Sequence, residues 1–282
     1  MTHKNELQEI FELAEKLVLK AGIIMLEGFS KPKMDFKCKN AFYDLVTTYD
    51  KKIEEMFVNG IKASYQNHKF IGEEQCAEAK VMPELTDSPT WIIDPIDGTT
   101  NFIKKIPHAC ISVALAINKE IVIGIVYNPM LNELFTARKN IGAFLNGKPI
   151  LVNSHIKKIS NAVVGFEISL IHAENVRDKN LKRLYKICTK ATGTRCFGSA
   201  ALTLCYVANG LIDIYMVDDL KPWDIAAGAI IATEAGASIT DPEGKTFTIM
   251  KPNIVCASCA DLCKEICGLI DEAECMNEFI FE

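Results

Sequence analysis

The stretch Trp91-Ile92-Ile93-Asp94-Pro95-Ile96-Asp97-Gly98-Thr99-Thr100-Asn101-Phe102 puts two carboxylates three residues apart at the end of an apolar run. Trp91 to Ile93 reads as a buried strand with Asp94 at its carboxyl end. Pro95 has no N–H and is expected to stop the ladder. Gly98 permits a tight turn, after which Thr99, Thr100 and Asn101 offer successive backbone N–H groups at a helix start. Two acids this close beside an apolar strand repel one another and resist desolvation unless a cation accompanies them. Oxygen-only donors select hard ions, and Mg²⁺ is the expected one. Free N–H groups beside a glycine turn bind an anion, most often phosphate. A metal set next to a phosphate cradle points to metal-assisted phosphoryl transfer.

Working outward, three more acidic groups stand at similar places: Gly72-Glu73-Glu74, Trp223-Asp224, and Asp44 with Asp50. Each has an ordinary explanation by itself. A D-x-x-D after a strand is a common surface turn, Glu73-Glu74 suits a solvated turn, and Asp224 suits a helix N-cap before the apolar run Ile225 to Ile231. Their recurrence at the ends of expected strands, each followed by a turn or helix, favours a shared site.

The remaining chain reads as mixed α and β. Leu7, Ile10, Phe11, Ala14, Leu17, Val18, Ala21, Ile24 and Met25 fall on one helical face. Thr47 or Thr48 caps a second helix with Ile53, Met56, Phe57 and Ile61 inward. Strands are expected at Lys69 to Ile71, Thr90 to Ile93, Ala109 to Ile117 and Ile121 to Tyr127, with hairpin turns at Asn118-Lys119 and, by the stronger signal, Asn146-Gly147. Beyond Leu151, strands at 163–166, 212–217, 238–240 and 254–257 alternate with helices at 176–191, 200–209, 224–235 and 259–273. No long linker intervenes, so we expect a single domain over 1–282, with a metal- and phosphate-binding half (1–150) and a substrate-side half (151–282).

Composition narrows the function classes. The 282 residues are 49% hydrophobic and 24% charged, which excludes disorder as the main state. A net charge of −5 argues against nucleic-acid or anionic-membrane binding driven by charge. The longest nearly apolar run, Ala109 to Ile117, is interrupted by Ser112 and is far short of the ~20 residues a spanning helix needs. Met1 to Lys20 carries Glu6, Glu9, Glu12 and Glu15 where a signal peptide needs apolar residues. An odd count of 11 cysteines fits a reducing, cytoplasmic setting.

The quoted stretch, together with Trp223-Asp224-Ile225-Ala226-Ala227-Gly228 running on to Thr233-Glu234-Ala235-Gly236, resembles the two signatures of the inositol monophosphatase family. Ile71-Gly72-Glu73-Glu74 and Asp44-Leu45-Val46-Thr47 through Asp50 match further family segments in order, and the resemblance extends from about Leu7 to Leu269. It implies the layered αβαβα sandwich of the inositol monophosphatase and fructose-1,6-bisphosphatase type. It implies Mg²⁺-dependent hydrolysis of myo-inositol monophosphate by metal-activated water, without a phosphoenzyme. The metal ligands it implies are Glu73, Asp94, Asp97 and Asp224 with the Ile96 carbonyl. Thr99 and Asp50 would orient the attacking water with Glu73 beside them, and the N–H groups of Gly98 and Thr99 would hold phosphate. Asp97, Gly198, Ser199, Ala200 and Asp224 would meet the substrate, and Lys39 matches a basic residue near the metal loop. The resemblance also implies a homodimer and inhibition by Li⁺.

One position departs from the pattern. Inositol phosphatases commonly carry a glutamate seven residues before the residue matching Asp224, and Val217 stands there. Either Asp218 or Asp219 takes over after a local shift, or the ring is held less selectively; on that account Val217→Glu would improve selection of inositol phosphate. Two alternatives remain at this stage. One is a related phosphatase acting on a sugar phosphate, fructose 1,6-bisphosphate, histidinol phosphate or 3′-phosphoadenosine 5′-phosphate. The other is a non-catalytic binding partner, which the intact acidic set opposes.

Other motifs fall away. Cys256, Cys259, Cys263 and Cys267 suit a buried helix face better than a zinc site, because no second C-x₂-C or histidine pair closes it. His108 suits a packing or loop role. Gly193 to Ser199 lacks the P-loop lysine, and Glu167 stands where a nucleophile elbow needs serine.

Overall fold

Trp91 and Ile93 face one side of their strand and Ile92 the other, and the layers of the molecule follow from where those two faces go. In this computed structural model residues 2–33, 35–39, 45–172 and 174–277 are described; Asp44 lies outside them. The first half runs α1 (Thr2–Ser30), β1 (Phe36–Cys38), β2 (Leu45–Thr47), α2 (Thr48–Lys62), β3 (Lys69–Gly72), α3 (Glu73–Ala79), β4 (Thr90–Asp97) and α4 (Thr99–Lys104). It continues through β5 (Cys110–Ile117), β6 (Glu120–Asn128), β7 (Glu133–Arg138), β8 (Gly142–Leu145) and β9 (Lys148–Ile150). The second half runs β10 (Val163–Phe166), α5 (Glu174–Cys188), β11 (Gly193–Arg195), α6 (Ala200–Ala208), β12 (Ile214–Val217), α7 (Pro222–Glu234), β13 (Ser238–Thr240), β14 (Ile254–Ala257) and α8 (Ala260–Glu274).

Strands β3 to β9 form a 7-stranded sheet in chain order, with β3 and β4 parallel and every later pair antiparallel. A 5-stranded sheet has the order β11-β10-β12-β14-β13, and β1 pairs with β2. Trp91 and Ile93, with Ile111, Val113, Leu115, Ile123 and Ile125, pack on the apolar faces of α1 and α2. Ile92, Ala114, Val126 and Phe135 on the other face pack against α6 and α7. Those two helices are apolar on most of their surface, with Asp224, Thr233 and Glu234 at the ends of α7, as suits helices between two sheets; their far sides meet Tyr215, Val217, Ile254 and Cys256 of the second sheet. The outer face of that sheet, Ile214, Met216, Val255 and Ala257, lies under α8 and Ile187 of α5. The sequence of layers is therefore α, β, α, β, α, as the resemblance implied.

Both expected hairpin turns form. Asn118 and Lys119 join β5 to β6, and Asn146 and Gly147 join β8 to β9, each pair with positive φ. Among the four cysteines, Cys256 is in β14, Cys259 precedes α8, and Cys263 and Cys267 face Thr240 Oγ1; all four are buried. No helix among the described residues is long and apolar enough to cross a membrane.

Candidate active site

Strand β4 does not stop at Pro95. It continues to Asp97, because a bulge absorbs the proline: Asp94 pairs with Ser112 and Asp97 with Cys110, so a three-residue step on β4 matches a two-residue step on β5. In a regular strand residues three apart point to opposite faces. The extra residue turns Ile96 into the core beneath α1 and α2 and brings Asp97 to the same side as Asp94. The parallel register of β3 on β4 pairs Gly72 with Ile93, which sets the next residue, Glu73, beside Asp94. The third contribution crosses from the second half of the chain. Ser112 Oγ donates to the Trp223 carbonyl at 3.3 Å and so ties β5 to the first turn of α7, where Asp224 is the third residue.

The result is a convergence of acids: Asp94, Asp97 and Asp224 each offer a carboxylate oxygen within 4.8 Å of the others. Glu73 adjoins them closely enough for its charge to bear on Asp94. Lys39 Nζ donates to Glu73 Oε1 at 2.6 Å and to Glu74 Oε1 at 2.5 Å. Burial pushes the Asp94 carboxyl well above its usual range, and the charges of Glu73, Asp97 and Asp224 push it further. Asp224 is raised in the same way, by burial and then by Asp97. Burial lifts Asp97 to about 6, against the hydrogen bond from Ser199 that lowers it. Burial works against the Lys39 ammonium, but Glu73 and Glu74 outweigh it and hold its pKa above the ordinary value. Oxygen-only, mutually repelling donors of this kind suit a hard divalent cation, and the cluster could hold one.

Around this cluster the backbone is tightly fixed. Asp94 Oδ1 accepts the Ile96 N–H at 3.0 Å, and the Ile96 carbonyl accepts Thr99 Oγ1 at 2.9 Å. Gly98, with φ 86°, is required: a Cβ there would lie 2.8 Å from the His108 carbonyl and 3.0 Å from that of Gly198. Asp50 is buried near the start of α2, and its Oδ2 accepts from Thr47 N at 2.8 Å and Thr47 Oγ1 at 2.5 Å. Burial lifts Asp50 to about 7 despite those bonds. Thr99 and Asp50 thus have other partners in this structure, Ile96 and Thr47.

Gly198, Ser199 and Ala200 lie at the start of α6, next to Asp97. Asp97 Oδ2 accepts Ser199 Oγ at 2.6 Å and the Ala201 N–H at 2.8 Å, so one carboxylate oxygen caps α6 and joins the two halves of the chain. Asn101 strengthens that joint. Its Nδ2 donates to the carbonyls of His108 and Phe197, each at 2.7 Å. His108 stacks on Phe197 with ring centroids 5.5 Å apart, the packing role expected of it.

The Val217 expectation meets a different outcome. Val217 is buried between the second sheet and α6 and α7, and Asp218 is buried in ion pairs with Arg183 and Lys179. Asp219, exposed and with φ 61°, also pairs with Lys179. A glutamate at 217 would enter the apolar core, so the selectivity proposed for Val217→Glu is withdrawn. Sequence reasoning passed over Glu54, whose carboxylate accepts the N–H groups of Glu74 and Gln75, each at 2.9 Å. Its one visible signal is its place a helical turn after Asp50 and next to the inward Ile53. Asn101 stood in the first stretch quoted, but nothing in the sequence distinguishes a clamp from a turn residue.

A family model described as the inositol monophosphatase family matches residues 6–274. The chain belongs to that family. Its relatives include inositol monophosphatase 2 of Solanum lycopersicum, 41% identical over 270 residues, which cover 95% of this chain and 100% of the relative. Among solved structures, the extragenic suppressor protein suhB from Bartonella henselae superposes with a TM-score of 0.84 at 29% identity, covering 94% of this chain and 99% of that one. SaIMPase-II, solved with inositol monophosphate bound, gives a TM-score of 0.78 at 25% identity over 94% of this chain and 95% of its own.

Proposed function

We propose that this member of the inositol monophosphatase family hydrolyses myo-inositol monophosphate to myo-inositol and phosphate, as a Mg²⁺-dependent phosphoric monoester hydrolase. The observation that carries the reading is the meeting of Asp94, Asp97 and Asp224 at one point beside the Gly98 turn. The tomato relative's name and the ligand of SaIMPase-II support the choice of substrate. Because the acids come from both halves, the whole chain, 1–282, is one catalytic unit.

Glu73, Asp94, Asp97, Asp224 and the Ile96 carbonyl would hold Mg²⁺. Bound there, the ion supplies positive charge for the phosphate and the leaving oxygen and activates water at neutral pH. The Gly98 and Thr99 N–H groups hold the phosphate oxygens. Thr99 Oγ1 donates a hydrogen bond to the Ile96 carbonyl and keeps lone pairs to orient an attacking water. Asp50, buried near the start of α2, would pair with Thr99 in orienting that water, with Glu73 beside them. Gly198, Ser199 and Ala200 bound the ring side with Asp97 and Asp224. With a net charge of −5, the chain would accept an anionic substrate through the bound cation.

The same reading brings further expectations: Li⁺ competes for a cation position, two copies associate, and the protein works in the cytoplasm, where its thiols stay reduced. A phosphate-release assay over several small monophosphates, with and without Mg²⁺ and Li⁺, tests it. Release from inositol 1-phosphate that requires Mg²⁺ and falls with Li⁺ is expected. Release independent of Mg²⁺, or none from inositol phosphates, contradicts it.

A further inference from the structure

We propose that Glu54 is a positioning residue that sets Glu73 for cation binding by holding the first turn of α3 from outside that helix. The proposal rests on the reading of the acidic cluster as a Mg²⁺ site.

Helix α3 is short, and its N-cap, Gly72, has no side chain to accept its first N–H groups. A helix of this length gains little stability of its own, so its direction depends on outside contacts. Glu54, on α2, makes those contacts: Oε2 accepts the Glu74 N–H and Oε1 the Gln75 N–H, each at 2.9 Å. The absence of a Cβ at Gly72 is what admits the carboxylate, since a Cβ there would lie 2.5 to 2.7 Å from the Glu54 carboxyl atoms. The Glu54 side chain is buried in a negative neighbourhood, with Glu73 and Glu74 adjacent. An acid is electrostatically costly there. A carboxylate gives each of these two N–H groups an oxygen of its own, whereas a glutamine would leave both to one oxygen or set its NH₂ against one of them.

Glu73 is therefore fixed from both sides. Behind it β3 is registered on β4, and ahead of it the Glu74 N–H is fastened to Glu54. Lys39 pairs with the carboxylates of both Glu73 and Glu74. Loosening the Glu54 contact leaves Glu73 to be ordered when the cation binds, and that cost appears as weaker binding.

The test compares E54Q with the wild-type full chain. Mg²⁺ binding to the metal-free proteins is measured by calorimetry, and the Mg²⁺ dependence of phosphate release is measured alongside. E54Q is expected to bind Mg²⁺ about tenfold more weakly or worse. Its kcat should return to near the wild-type value at saturating Mg²⁺. Wild-type Mg²⁺ affinity in folded E54Q overturns the proposal, as does a fall in kcat with affinity unchanged. Should E54Q fail to fold, G72A presses on the same contact from the other side and must show the same shift. Failure of both to fold also overturns the proposal, because Glu54 is then part of the core alone. A wild-type chain that neither binds Mg²⁺ nor releases phosphate sinks the site reading and this proposal together, whereas an active wild type beside an unaltered E54Q sinks only the proposal.

Discussion

Val217 illustrates how far a single position depends on its layer. Counted along the chain it occupies a substrate-facing place, yet β12 turns it into the space between the second sheet and α6 and α7. The expected effect of Val217→Glu is a loss of stability on the order of 3 kcal/mol, because a carboxyl would enter that core without a partner. Urea unfolding measures it; a variant as stable as wild type with sharper preference for inositol phosphate contradicts the placement. Residues whose chemistry matches their neighbours in the chain were legible, among them Asp94, Asp97 and Gly98. Residues defined by a partner far away were not. Asn101, Glu54 and the pairing of Asp218 with Arg183 join segments that only the folded chain brings together.

At the scale of elements, the periodic helix α1, the cap of α2 at Thr47 and the longer strands were all visible in the pattern. Strands β1, β2, β7 and β11 were not, and β8 and β9 were marked only by the Asn146-Gly147 turn between them. Pro95 misled for a physical reason: proline usually ends a ladder, but here a bulge uses its missing N–H and turns Asp97 inward. The β5–β6 turn supplies a test. Lys119 sits at φ 65°, where a side chain is disfavoured and glycine is at ease. Lys119→Gly is expected to stabilise the protein by up to about 1 kcal/mol in urea unfolding. A destabilised variant would mean that the turn has another geometry.

Across the whole molecule the acidic set shapes stability as well as chemistry. The folded chain lifts Asp97 to about 6 and Asp50 to about 7 by burial, while the unfolded chain returns each to the ordinary aspartate value. Between that value and the raised one the folded state binds more protons than the unfolded, so stability falls as pH rises. The metal-free protein should melt at lower temperature near about pH 8 than near about pH 5.5, with Mg²⁺ restoring more at the higher pH, where the carboxylates are ionised. Calorimetry with and without chelator measures this; a metal-free melting temperature that climbs over the same interval contradicts it. The two halves meet through Asp97 and Asn101, and the acidic cluster that could hold a cation lies at that joint.

Anomalous diffraction from crystals grown with Mn²⁺ in place of Mg²⁺ tests the central claim most directly. The account predicts anomalous density in contact with the carboxylates of Asp94, Asp97 and Asp224, with Glu73 at its edge. Density elsewhere, with that cluster empty, would contradict it.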